Sequence, residues 1–313
     1  MTGRPVALVL RALGLGDLVT GLPALRLLRS ALPEHRIVLA APRYFEPVIR
    51  LAGTVDDVVH ASGLHPPHDA APRADVAIDL HGKGPQSHDV LRALEPRRLV
   101  AFGLDGHVWA ASEHEVARWC RLIGEAFSVP VGMETVAGTL RAPDVATPRG
   151  LVIVHPGAGS PARQWPPEHF AALAGLLHAA GHHVVVTGGP GEAGLAETVA
   201  DAAHVAVGAG LSLIELFALV ANARLVVSGD TGIAHVASAY GTPSVVLFGP
   251  VSPAVWGPPP DPRHQVLWHG DVHRGRGDPH GRQIDPALAA ISVREVRAAC
   301  DRALAHYLEP LRA

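Results

Sequence analysis

Leu8-Val9-Leu10-Arg11-Ala12-Leu13-Gly14-Leu15-Gly16-Asp17 runs from an apolar strand into a glycine loop that ends on a carboxylate. The second half of the chain repeats the device in Val152-Ile153-Val154-His155-Pro156-Gly157-Ala158-Gly159-Ser160. Loops at the carboxyl ends of parallel strands are where open α/β sheets bind ligands. Two such openings predict two Rossmann-like, doubly wound parallel-sheet domains with a cleft between them.

Outward from these stretches, short apolar runs alternate with amphipathic segments, the rhythm of a parallel sheet covered on both faces. Strands are expected at 5–10, 36–41, 56–60, 74–79 and 97–101, with helices at 18–31, 44–51, 87–94 and 112–127. In the last of these Val116, Trp119, Cys120, Ile123 and Phe127 mark one buried stripe. Residues 129–149 lapse into Pro, Gly, Thr and Arg and read as a linker, giving domains 1–145 and 146–313. The second series predicts strands at 151–155, 183–187, 205–207, 224–228, 244–248 and 265–268, and helices at 167–180, 192–202, 213–221, 233–240 and 293–307. The last helix has the option of packing back on the first domain. The Pro-, Gly-, His- and Arg-rich segment 250–285 reads as a surface loop.

A chain of 313 residues exceeds what one core usually serves, in keeping with two domains. A formal charge of -3 provides no global field for a nucleic-acid backbone, so any anion must be held locally. Cys120 and Cys300 form no paired motif, which fits a reducing cytoplasm and argues against a disulfide framework or thiolate metal site. The N-terminal apolar stretch is interrupted by Arg11 and Asp17 and lacks the run of about 20 residues needed to span a bilayer. A monomer is expected, with no nucleic-acid partner; peripheral contact with a membrane stays compatible with action on a lipid-linked acceptor.

Five loops could carry chemistry. Asp17 reads either as a helix cap or as a base aimed into a cleft; the incomplete Gly14-Leu15-Gly16 pattern and the acid speak against a phosphate cradle. Ser160 and Arg163, on a loop of small residues before a helix, offer donors suited to a diphosphate held without metal, or else form an ordinary turn. In Ser228-Gly229-Asp230-Thr231-Gly232-Ile233-Ala234-His235, Thr231, the Gly232 amide and His235 share one face, while Asp230 could be a cap and His235 a core histidine. Glu192, closing Thr187-Gly188-Gly189-Pro190-Gly191, stands where a carboxylate could accept both hydroxyls of a ribose. The segment 79–88 carries His81, the lone lysine Lys83, Gln86 and His88 as candidate acceptor ligands, or is a flexible polar turn. The His and Asp residues of the late loop match no strong metal motif.

The ordered set resembles the heptosyltransferases of glycosyltransferase family 9 over nearly the whole chain. The resemblance rests on Gly14-Leu15-Gly16-Asp17 with Pro23-Ala24-Leu25, His155-Pro156-Gly157-Ala158 with Trp165-Pro166, Thr187-Gly188-Gly189, Asp230-Thr231-Gly232 with His235, and Gly241-Thr242-Pro243. It implies a GT-B fold and an inverting, metal-independent transfer of a sugar from a nucleotide-sugar co-substrate, ADP-heptose by resemblance, to a lipid-linked saccharide or a small-molecule acceptor. By the same resemblance Asp17 matches the proposed general base, Arg163 a basic residue on the diphosphate, Glu192 the ribose ligand, and Asp230, Thr231, Gly232 and His235 the diphosphate and sugar loop. Ser160 matches a hydroxyl near the phosphates and Leu211 an apolar neighbour of the adenine.

Arg163 departs from the family's usual lysine, exchanging a compact ammonium for a fork, and 271–282 does not look like the corresponding region of the lipopolysaccharide enzymes. The helix N-terminus is expected to keep Asp17 ionised and hence a weak base. Alternatives are another GT-B nucleotide-sugar enzyme such as an epimerase or hydrolase, a nicotinamide oxidoreductase, and a non-catalytic two-lobe binding protein.

Overall fold

A computed structural model describes residues 4–67, 71–271 and 277–307. The chain divides into two compact units, Met1–Arg141 and Ala142–Ala313, with the boundary inside the linker read from the sequence.

The first unit contains β1 (Val6–Leu10), α1 (Leu15–Ala31), β2 (Arg36–Ala41), α2 (Glu46–Ala52), β3 (Asp57–His60), β4 (Val76–Asp79), α3 (Gln86–Arg92), β5 (Arg98–Val100) and α4 (Glu115–Phe127). Its five strands are all parallel in the order β3-β2-β1-β4-β5. β1 is central, with neighbours on both edges and helices on both faces. This is why Ala7, Leu8, Val9 and Leu10 are all buried rather than alternating. Helix α4 packs on α1 through the stripe legible in the sequence, and it also buries Glu115 and Arg118.

The second unit contains β6 (Val152–His155), α5 (Pro167–Ala179), β7 (Val184–Thr187), α6 (Ala193–Ala203), β8 (Ala206–Gly208), α7 (Leu213–Asn222), β9 (Leu225–Gly229), α8 (Gly232–Tyr240), β10 (Ser244–Phe248), α9 (Pro253–Trp256), β11 (His264–Trp268), α10 (Pro286–Ala289) and α11 (Val293–Ala305). Six parallel strands run in the order β11-β10-β9-β6-β7-β8. Helix α11 starts at a capping box of Ser292 and Glu295 and packs on α5, β10 and β11. Its Val296, Ala299, Cys300 and Ala303 join the second unit's core.

The segment 250–285 is not simply a surface loop. Besides β11 it holds α9. From Gly277 onward it lies along residues 160–162: the Ala162 amide donates to Gly281 O (3.2 Å) and the Asp285 amide to Ala162 O (3.3 Å). Apolar periodicity could not reveal this, because the attachment is made by backbone groups between glycines and prolines. Residues 272–276, which carry much of the departure from the family pattern, lie outside the described residues.

In both sheets the strand order reverses beside the first strand, between β1 and β4 and between β6 and β9. Those reversals are the topological switch points at which such sheets open a crevice. The candidate residues gather at both.

Candidate active site

At the first switch point, Gly14 is the N-cap of α1 and Asp17 is its third residue. The Asp17 carboxylate accepts a hydrogen bond from the Gly14 amide (3.3 Å). Asp17 thus sits in the first turn of the helix, three residues after the N-cap position the cap reading gave it. The expected weak basicity is corrected: burial pushes the Asp17 carboxyl above its ordinary range. Arg11 pulls it back and Glu115 pushes it up again, with backbone bonds from Gly14 and Asp17 lowering it. Desolvation outweighs the helix terminus, which makes Asp17 a stronger base than an exposed aspartate.

Arg11, immediately after β1, has its side chain fully buried and faces Glu115 at 3.3 Å. Its guanidinium donates to the backbone oxygens of Asp17 and Leu80 and to Thr20 Oγ1 (3.2 Å), and its Cζ lies 5.1 Å from the centre of the Trp119 ring. Glu115 also accepts from Arg118 and from Trp119 Nε1 (2.6 Å). Removing one partner from such a buried pair costs about 3–5 kcal/mol, since it strands the other charge.

His81 sits across the switch point. Its Nδ1 accepts from the Ala12 amide (3.2 Å) and its own amide donates to Asp79 Oδ1 (2.8 Å). Burial lowers its pKa, opposed by Asp79, reinforced by Arg11 and opposed again by Asp17, so the ring is neutral near pH 7 with its proton on Nε2. Lys83 and Gln86 are exposed, whereas His88 is buried with Nε2 3.5 Å from Asp79 Oδ2. A Cβ on Gly84 would stand 2.1 Å from the His88 ring. His88 thus packs beneath the loop, beside Gly84 and Asp79.

At the second switch point the groups stand in a series along the sheet edge. Beside β9 and β6, Arg163 Nη1 donates to Asp230 O (3.3 Å) and lies 3.9 Å from Asp230 Oδ2. Its guanidinium passes over Gly159, where a Cβ would come within 2.9 Å of Nη2. Thr231 is the N-cap of α8 in extended conformation and makes no side-chain cap bond; it and Gly232 are half-buried. His235 is buried, its ring centre 5.9 Å from that of Trp256, in a recess shared with Asp230, Ser238 and Phe248. The Ser160 hydroxyl donates to Pro279 O (2.6 Å), tying the late segment down.

Between β6 and β7, the Glu192 carboxylate accepts from the Gly189 amide (2.7 Å) and lies directly over Gly157, where a Cβ would be 2.0 Å from Oε2. His155, below it, is held neutral by burial, with its pKa lowered to about 4; its Nδ1 is 3.0 Å from Thr187 Oγ1. Toward β8, Leu211 and Thr187 both meet the space a Gly208 Cβ would take, at 3.3 Å. Among the described residues, no group of three or more His, Cys, Asp or Glu side chains could hold a metal ion, and no helix is long and apolar enough to cross a membrane.

Glycosyltransferase family 9 (heptosyltransferase) matches residues 96–275, more than half of the chain. The chain belongs to this family. Lipopolysaccharide heptosyltransferase 3 of Escherichia coli is 30% identical over 162 residues, 50% of this chain and 47% of that protein. The chain thus spans about half the length of the curated relatives it matches. The crystal structure of the family 9 glycosyl transferase from Veillonella parvula DSM 2008 superimposes with a TM-score of 0.75 at 19% identity, covering 97% of this chain and 98% of that one. E. coli heptosyltransferase WaaC with ADP gives 0.73 at 21% identity, covering 95% and 99%. These likenesses fix the fold as GT-B, two Rossmann-like parallel-sheet units.

Arg11 and Glu115 form a buried pair that sequence reasoning missed. Arg11 was legible only as a charge interrupting an apolar stretch. The usable signal was its place: a charge at the carboxyl end of a central strand, three residues before the first loop glycine, needs a buried partner.

Proposed function

We propose that this chain is an inverting, metal-independent glycosyltransferase that moves a heptose from ADP-heptose to an acceptor hydroxyl. The observation that carries it is the order of chemistry along the second sheet's edge. A cation and helix-end donors (Arg163, Thr231, Gly232) are followed by a carboxylate (Glu192) and then an apolar side chain (Leu211). That is the order diphosphate, ribose, base. E. coli WaaC, of the same fold, is described with ADP.

In the reaction Asp17 accepts the proton of the acceptor hydroxyl as its oxygen bonds to the anomeric carbon on the face opposite the diphosphate. The carbon–oxygen bond to the diphosphate breaks with its electron pair. Arg163, the Thr231 hydroxyl and the Gly232 amide meet the developing charge, aided by the positive end of α8. Lys83, Gln86 and His81 contact the acceptor, a lipid-linked saccharide or a small molecule. We place the reaction in the cytoplasm, supported by two free, buried cysteines.

The test is Asp17→Asn assayed with ADP-heptose. Turnover should fall about 10²–10⁴-fold while calorimetry finds donor affinity unchanged, and dialysis against EDTA should leave the parent's rate as it was. Near-normal turnover of Asp17→Asn would reject the base; donor hydrolysis without an acceptor requirement would reject transfer.

A further inference from the structure

Two loops form the first switch point, β1 to α1 and β4 to α3; His81 Nδ1 ties them at the Ala12 amide (3.2 Å), and the Arg11 side chain reaches across both. The Arg11 guanidinium donates to Asp17 O in the first turn of α1 and to Leu80 O on the second loop. A guanidinium is a rigid planar fork with five donors, so the directions of its bonds are fixed together. The fork is itself immobilised. Thr20 Oγ1 and Glu115 Oε1 take Nη2 (3.2 and 3.3 Å), and Trp119 covers one face. Arg118 and Trp119 Nε1 hold Glu115 in turn. Gly21 leaves the space: a Cβ there would stand 2.5 Å from Arg11 Nε.

We propose that Arg11, clamped by Glu115, is a positioning residue for glycosyl transfer, fixing where the Asp17 carboxylate stands relative to the His81 loop. The inference rests on the reading of Asp17 as the base. The charged and titratable groups bearing on Asp17 are Arg11 from the end of β1, Glu115 from α4, and His81, backed by Asp79, from the β4 loop. A mere structural brace would affect folding alone. A positioning clamp also sets the charge felt by the carboxylate, with opposite signs from its two members.

The experiment compares Arg11→Lys, Arg11→Gln and Glu115→Gln in the full chain, measuring thermal melting, ADP affinity and the pH dependence of kcat. Arg11→Lys keeps the charge and loses the fork. It should hold ADP affinity and the acid limb in place while kcat drops on the order of 10²-fold, as a misplaced reacting group does. Glu115→Gln removes a negative neighbour, so the acid limb should move to lower pH; Arg11→Gln removes a positive one and should move it higher. Folded variants whose limbs stay fixed, or move the same way, overturn the proposal. So does an Arg11→Lys that loses ADP affinity as steeply as kcat. If Arg11→Gln does not fold, Arg11→Lys and Glu115→Gln decide alone. A parent profile with no acid limb, or an active Asp17→Asn, would instead fail the reading of Asp17 itself.

Discussion

The ends of β1 and β6 occupy the same topological place and are built from opposite materials. At β1, buried Arg11, paired with buried Glu115, bonds the backbone oxygens of Asp17 and Leu80, and the Asp17 carboxyl is pushed toward its neutral form. At β6 the buried ionisable residue is His155, kept neutral with a pKa of about 4, and the working groups lean on missing side chains: Glu192 over Gly157, Arg163 over Gly159. The proposed base is desolvated within a dense polar cluster. An anion site must offer donors at close range, which takes bare backbone and space.

The largest expected effect tests the second half of that contrast. Arg163→Ala should lower kcat by about 10²–10³-fold, the loss that follows removal of one well-placed donor. Arg163→Lys should recover only part, because an ammonium cannot both bond Asp230 O and present a fork. Steady-state kinetics with ADP-heptose decide it; equal activity for all three side chains would remove Arg163 from the diphosphate. Next, Gly157→Ala places a methyl 2.0 Å from Glu192 Oε2, which must swing away and release the Gly189 amide. One charge-assisted bond of about 1.5 kcal/mol predicts a tenfold weaker donor affinity by calorimetry, with kcat little changed. An unaltered affinity would mean that Glu192 does not touch the nucleotide.

Gly21→Ala addresses the first half. In a helix this exchange ordinarily gains up to about 1 kcal/mol. Here the new methyl meets Arg11 Nε and Cδ at 2.5 and 2.7 Å, and Arg11 cannot yield without breaking its bonds to Asp17 O and Leu80 O. Overpacking of about 1–3 kcal/mol should therefore reverse the sign and lower the melting temperature. A stabilised variant would show the clamp to be slack.

What the sequence made legible follows the same division. Strands and most helices were readable because parallel strands are continuously apolar and their covering helices periodic, and the β6, β7 and β9 loops because glycines mark them. The four-residue helices α9 and α10 are too short for a period. The clamp was hidden because its halves are far apart: |i−j| is 104 for Arg11 and Glu115, and nothing local says that either is buried. The burial of His88 was hidden for the converse reason, since a polar run with glycines reads as solvated until Gly84 is seen to admit the ring.

The smallest effect asks whether the desolvated carboxylate carries the cost that the contrast implies. Asp17 has a folded pKa above 3.8, so between that value and its folded value the native chain keeps a proton the unfolded chain has released. Stability therefore falls as pH rises through the window, and the full penalty is present above it. Asp17→Asn cannot incur it, and its side-chain oxygen can still accept from the Gly14 amide. The variant should melt a few degrees above the parent at pH 7, with the gap closing as pH is lowered toward 3.8. A variant that is less stable at pH 7 would show that the Arg11 charge outweighs burial at this carboxylate. A carboxyl that burial destabilises in its charged form adds basicity at the expense of stability, which is what the proposed role of Asp17 requires.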